Sequence, residues 1–195
     1  MYQNIDFLKR RHEPYVIISS GDCVYKLDFN RVLDFHIEKK SDITVVCKDM
    51  MYNDDVSRFG VVRMDEESRI TEFDEKPIEA SSNTISTGIY VIRRRQLIEL
   101  LEAAAEENRF DFVNDILVRY KNVKKIYGYK INSYWNNIAD IDAYFKTNMD
   151  FLRLTSEAIS SGRSRQSVQR WTTCHRPSLI RDQTFQTVSY QVAVS

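Results

Sequence analysis

Two short stretches of the chain carry residue types that could do chemistry. Asp22 stands four residues after Ile18, in the loop Ser19-Ser20-Gly21-Asp22 that follows the β-rich run Tyr15-Val16-Ile17-Ile18. In a parallel α/β sheet, ligands gather beyond the carboxyl ends of strands, and a carboxylate placed there could hold Mg²⁺ between protein and phosphate oxygens. The same placement suits an aspartate that only orders the turn after Gly21, and position alone leaves both readings open. Glu75-Lys76-Pro77 closes a second strand, where a lysine fixed by its neighbours could meet a sugar phosphate as a compact positive charge; a solvated surface lysine looks the same. Gly60 and Gly88 would let a ligand approach the backbone, or else mark a bulge or a strand start.

Other chemistries are excluded. The five glycines, at 21, 60, 88, 128 and 162, write neither GxGxxG nor GxxxxGK, so no glycine-rich phosphate cradle is encoded in this chain. Cys23, Cys47 and Cys174 are an odd number at unrelated spacings and read as reduced thiols rather than a disulfide framework or a zinc knuckle. His12, His36 and His175 lack ligand spacing. Tyr127, Tyr129, Tyr134 and Trp135 fit a half-buried sheet better than base stacking, and Arg93-Arg94-Arg95 fits a solvated helix entrance better than an anion site. Twenty-eight basic residues balance 28 acidic ones, which gives no reason to expect a nucleic acid or a membrane as partner. No apolar run has the length of a membrane span and Met1–Arg11 is polar, so a cytoplasmic protein is expected.

The elements that would position these residues alternate between strand and helix. At 195 residues and 23.0 kDa, with 43% apolar residues, the chain has the size and composition of one globular domain. The strand Tyr15–Ile18, an amphipathic helix over Phe29–Lys39 capped by Asp28, and the strand Ile43–Cys47 form a strand–helix–strand unit of the kind that builds a parallel sheet. Phe59–Met64 and Arg69–Phe73 read as a hairpin, and Gly88–Ile92 as a further strand. Helices are expected over Gln96–Glu106 and Phe112–Tyr120, then a strand over Val123–Ile131 and a helix over Asp140–Leu152. The class is α/β with a mixed sheet. Residues 153–195 differ: six arginines, two acids and no lysine among many Ser and Thr, with no sustained period. They read as a solvated tail, disordered or out of frame.

Taken in order, five segments resemble one family over residues 1–152: YVIISSGDCVYKLDF, RFGVVRMDEESRITEFDEKP, TISTGIYVI, FDFVNDIL and SYWNNIADIDAYFKTNMDFL are similar to successive motifs of ADP-glucose pyrophosphorylase, glucose-1-phosphate adenylyltransferase. The resemblance implies a Rossmann-like mixed sheet of the sugar-phosphate nucleotidyltransferase type. It implies a reaction in which ATP and glucose 1-phosphate give ADP-glucose and pyrophosphate for glycogen biosynthesis. It assigns Asp22 to a metal-binding catalytic aspartate and places Gly60, Glu75, Lys76 and Ser86 in the glucose 1-phosphate pocket.

Departures from the family's pattern qualify that assignment. The family's Trp-x-Asp-Val-Gly-Thr is here Trp135-Asn136-Asn137-Ile138-Ala139-Asp140, so the second metal carboxylate is the amide Asn137, with Asp140 three residues on as a conceivable substitute. A unit charge and a divalent ion about 4 Å apart interact by roughly 8 kcal/mol at an effective dielectric near 20, before desolvation, so this loss should weaken Mg²⁺ binding. Asn114 stands where active members carry a lysine, and Cys23 where a histidine is usual. The opening strand with its Gly-rich loop and the closing β-helix of the family are also missing from the chain. Together these changes imply a truncated, noncatalytic regulatory subunit of the GlgD type. It would be inactive alone and partnered by a catalytic subunit; an active hexose-1-phosphate nucleotidyltransferase and a sugar-phosphate sensor without turnover are the alternatives.

Overall fold

The computed structural model describes residues 1–51, 54–160 and 187–189. Its strands are β1 (Tyr15–Ser19), β2 (Cys23–Tyr25), β3 (Ile43–Asp49), β4 (Gly60–Met64), β5 (Ile70–Glu75), β6 (Thr84–Arg93), β7 (Ile126–Lys130), β8 (Trp135–Asn137) and β9 (Thr187–Ser189). Its α-helices are α1 (Ile5–Lys9), α2 (Phe29–Glu38), α3 (Arg94–Glu106) and α4 (Ile141–Ser160), and Val113–Val118 forms a π-helical turn. Two compact units divide them. The first contains residues 1–21, 27–133 and 187–189; the second contains residues 22–26 and 134–160.

In the first unit the apolar runs of β1, β3 and β6 are buried on both faces, the pattern of strands interior to a covered sheet. β6 pairs antiparallel with β3 along one side; along the other it meets β1 over Ile89–Arg93 and β4 at Ile85. β7 runs parallel to β3, β9 parallel to β1, and β5 antiparallel to β4, so the sheet is mixed, as expected. β1 and β3 do point the same way, with α2 between them in sequence. They are not neighbours, because β6 lies between them and supplies each with its hydrogen bonds.

The helices dock by apolar stripes. The Asp28 side chain accepts the Asn30 N–H at 3.0 Å and caps α2, which buries Val32, Leu33 and His36. α3 buries Leu97, Leu100, Leu101 and Ala104, spaced to fall on one helical face. Each such leucine contributes about 1.5–3 kcal/mol when fully buried. The β4–β5 turn folds back onto β7: the Gly128 N–H donates to Ser68 O at 2.9 Å, and Arg69 bridges to Tyr127. The Met64 sulfur packs on Gly128, where a Cβ would fall 2.1 Å from it, so a larger residue would have to move the methionine.

The second unit is a two-stranded ribbon, β2 with β8, carrying α4. Both strands have three residues and no alternation, so periodicity does not reveal them. α4 continues past Leu152 to Ser160, and Thr187–Ser189 forms β9; the rest of the Arg/Ser/Thr-rich tail lies outside the described residues.

Among the described residues His36 is the one histidine buried in the core, at 1% exposure. Its Nδ1 shares a 2.8 Å hydrogen bond with Thr44 Oγ1, its ring meets Tyr15 edge-on, and Nε2 has no partner among the described residues. Burial first, and Arg93 second, lower its pKa from the ordinary 6.5 to about 4, against an opposing pull from Asp42. Between those pH values the unfolded chain binds the proton and the folded one does not. Stability should therefore fall as pH drops from about 6.5 to 4, by on the order of 2–3 kcal/mol. Denaturant titrations across that window should show this slope, and His36→Gln, which cannot take up the proton, should flatten it.

Candidate functional site

Four of the residues singled out in the sequence belong to the first unit, and strand register brings three of them into one row. Gly60 on β4 faces Glu75 on β5. The pairing of Val61 with Ile85 sets Gly60 across from Ser86 on β6, and Ser86 faces Cys47 on β3. Side chains in such a row share a face of the sheet. Gly60 is a close-approach position whose space is filled from within: a Cβ there would lie 2.9 Å from Glu75 Oε2 and 2.9 Å from the Phe73 ring. Lys76, the fourth, is exposed at the end of β5 with a left-handed φ of 50°, and its N–H donates to Phe59 O at 3.2 Å.

The row departs from a flat sheet at β6. Between the pairs Val45–Tyr90 and Cys47–Ser86, β3 advances two residues while β6 advances four, so β6 arches through Thr87-Gly88-Ile89. Gly88 makes the arch with φ +75°, and Thr87 Oγ1 donates to the Val46 carbonyl at 2.9 Å. The arch brings Tyr90 back toward Ser86, their oxygens 3.3 Å apart. Burial raises the Tyr90 phenol above its ordinary pKa, with Glu75, Cys47 and Asp111 adding to the shift and the Ser86 hydrogen bond opposing it. Burial likewise raises Glu75; Lys76 opposes that shift and Asp111 adds to it. Tyr90 and Asp111 thus join the group, though sequence reasoning missed them. Their signal was the glycine two residues before Tyr90 and the aspartate opening Asp111-Phe112-Val113-Asn114-Asp115.

Asp111 is held by the turn that follows it. Its Oδ1 accepts the N–H groups of Val113 at 2.8 Å and Asn114 at 3.2 Å, and its Oδ2 accepts Asn114 Nδ2 at 2.8 Å. Asn114, which replaces a lysine in the resemblance, therefore spends its amide on a neighbouring carboxylate. The first-unit group offers hydroxyls, two carboxylates and one exposed ammonium: donors and acceptors for a polyhydroxyl ligand bearing an anion.

Asp22, Asn137 and Asp140 belong to the second unit. In the β2–β8 ribbon Cys23 faces Asn137, and the Ile138 N–H donates to Asp22 O at 2.7 Å, so Asp22 and Asn137 stand one diagonal step apart. Asn137 Oδ1 accepts the Ala139 N–H at 3.0 Å. Asp140 Oδ1 accepts the Ala143 N–H at 2.7 Å and caps α4, which commits the conceivable substitute ligand to a helix end. α4 is fastened to the ribbon by Asn136 Nδ2 donating to Thr147 Oγ1 at 2.6 Å and Tyr134 OH to Asp150 Oδ2 at 3.2 Å. Cys23 is pushed up to about 12, by burial and then by the Asp22 charge, so it stays a thiol.

A hard divalent cation wants several oxygen ligands with enough negative charge among them. Here the matched pair offers one carboxylate and one neutral amide already bonded to the backbone. Among the described residues no group of three His, Cys, Asp or Glu side chains is placed to hold a metal ion. The donor set does not fit Mg²⁺ well.

Residues 1–153 match the nucleotidyl transferase family. The chain is 38% identical over 156 residues to a glucose-1-phosphate adenylyltransferase of Bacillus cereus, covering 78% of this chain and 41% of that protein. It is 35% identical over 153 residues to a glucose-1-phosphate adenylyltransferase of Lachnospira eligens, covering 78% of this chain and 36% of that one. The chain thus spans about two fifths of the length of these relatives.

A test of the row follows from Gly60. Gly60→Ala forces a methyl group against the Phe73 ring, which is 2% exposed and has nowhere to go, and against the Glu75 carboxylate. The expected loss is about 1–3 kcal/mol, read by chemical denaturation, with Glu79→Ala at an exposed loop position as a control that should change stability by less than about 0.5 kcal/mol.

Proposed function

The chain belongs to the nucleotidyl transferase family, and from that premise we propose that it binds glucose 1-phosphate without turning it over, as a noncatalytic, regulatory partner of a catalytic glucose-1-phosphate adenylyltransferase subunit serving glycogen biosynthesis. Asn137 is the observation that carries this reading. It is the residue beside Asp22, it bears no charge, and its oxygen is engaged by Ala139 N–H. A nucleotidyl transfer concentrates negative charge on phosphate oxygens, and a site that has lost one of two carboxylates for its cation is poorly equipped to stabilise it.

On this reading the residues for the sugar phosphate, Gly60, Glu75, Lys76 and Ser86, are all present in the chain. Glu75 would accept hydrogen bonds from sugar hydroxyls, with the Ser86 hydroxyl in the same row and the Tyr90 hydroxyl 3.3 Å from it. Lys76 is the cation for the phosphate, with Asn114 giving no second charge. Mg²⁺ would bind weakly and add little. The alternative, an active hexose-1-phosphate nucleotidyltransferase that recruits Asp140, is disfavoured because that carboxylate caps α4. A cytoplasmic setting is part of the proposal; no helix among the described residues is long and apolar enough to cross a membrane.

Calorimetry should show saturable binding of glucose 1-phosphate, weakened at least about tenfold by Lys76→Ala, as expected for losing a charged hydrogen-bond partner. Incubation of the purified chain with ADP-glucose, pyrophosphate and Mg²⁺ should give no glucose 1-phosphate; turnover there would end the noncatalytic reading. Returning the missing charge with Asn137→Asp should raise Mn²⁺ affinity at least about tenfold, measured by the decline of the free-ion paramagnetic resonance signal.

A further inference from the structure

β1 carries a burial pattern that its known partners account for on one side only. Val16, Ile17, Ile18 and Ser19 are all buried, so both faces are covered and the strand sits inside the sheet. A strand in that position has two hydrogen-bonding edges. One is paired with β6 over its whole length, from Tyr15 with Arg93 to Ser19 with Ile89. Among the described residues the other meets only β9, in a parallel ladder of Ile17 with Thr187, Ile18 with Val188 and Ser19 with Ser189. Among the described residues β9 pairs with no other strand, and its ladder covers Ile17–Ser19 of β1. β9 is also reached only from the far end of the chain. A three-residue parallel ladder with a single neighbour is a weakly secured pairing.

We propose that the outer edge of β1 is a docking slot for one extended segment running parallel to it, and that residues 187–189 of this same chain are its exchangeable occupant. The slot recognises backbone amides and carbonyls, so what it requires of an occupant is extended conformation rather than a particular charge. β1 leads directly into Ser20-Gly21-Asp22, and the Ser20 N–H donates to Gly88 O at 3.0 Å. Filling the slot therefore steadies the strand from which that loop departs. The proposal is independent of whether glucose 1-phosphate binds.

The experiment compares amide hydrogen exchange in the full chain and in a variant carrying Thr187→Pro and Val188→Pro. Successive N–H groups of a strand point to opposite sides, so the two prolines together remove whichever one faces β1. Exchange at Ile17–Ser19 should accelerate at least about tenfold, while Val45 and Val46 in β3 stay protected as the control for folding. A synthetic peptide of residues 184–192, added to the variant, should restore the protection, and a peptide with the same two prolines should not. Unchanged exchange at Ile17–Ser19 would overturn the proposal. So would protection in the unaltered chain that grows with protein concentration alongside a dimer, which would assign the slot to a second copy. If the prolines also loosen β3, the unaltered chain challenged with an excess of the biotinylated peptide decides: capture on streptavidin with Ile17–Ser19 still protected supports exchange, and no capture refutes it.

Discussion

β6 has to satisfy the backbone groups of three other strands and still carry an arch, and Gly88 is the residue that reconciles the two demands. A side chain at φ +75° would be strained, and a Cβ there would sit 3.0 Å from that of Ser20. With glycine in place, the strand skips two residues against β3 and the stranded Val46 carbonyl finds the Thr87 hydroxyl. Ser86 and Tyr90 then meet as neighbours instead of standing a strand's length apart. The meeting of Ser86 and Tyr90 in the candidate site is thus a by-product of how one buried strand is accommodated by its partners.

The second unit obeys a different constraint. Its ribbon has six residues and almost no core, so polar side chains hold it: Asn137 closes its own turn, Asp140 begins α4, and Asn136 reaches Thr147. Each of these is a local hydrogen bond of about 1 kcal/mol net. An aspartate at 137 could accept the same Ala139 N–H, so the amide is not demanded by the turn. What distinguishes the two side chains is charge, and charge matters for a cation beside Asp22, not for the fold of the ribbon.

Much of the first unit could be read from the sequence because its elements are long and periodic. The α2 stripe and its Asp28 cap, the apolar run of β3 and the β4–β5 hairpin all stand where pattern puts them. The adjacency of β6 to both β1 and β3 could not be read that way, since periodicity tells which residues are buried and not which strand lies beside which. Gly60 was legible as a place of close approach, but that its own Glu75 and Phe73 fill the space depends on register. Tyr90 escaped notice because its place beside Ser86 arises from the arch, and Asp111 because its nearness to Glu75 depends on the tertiary fold. β2 and β8 escaped because three residues are too few to show a period, and Asp140 showed its capping role only once α4 was seen to start behind it.

The return of the β4–β5 turn onto β7 also governs how the sheet comes apart. Ser68 and Gly128 are far apart in the chain, yet their hydrogen bond, with the Met64 sulfur seated on Gly128, joins the β4–β5 turn to β7. At that end, fraying of β5 or β7 has to undo the clasp first. Unravelling must begin at the opposite end of those strands, and the clasp converts two vulnerable margins into one seam.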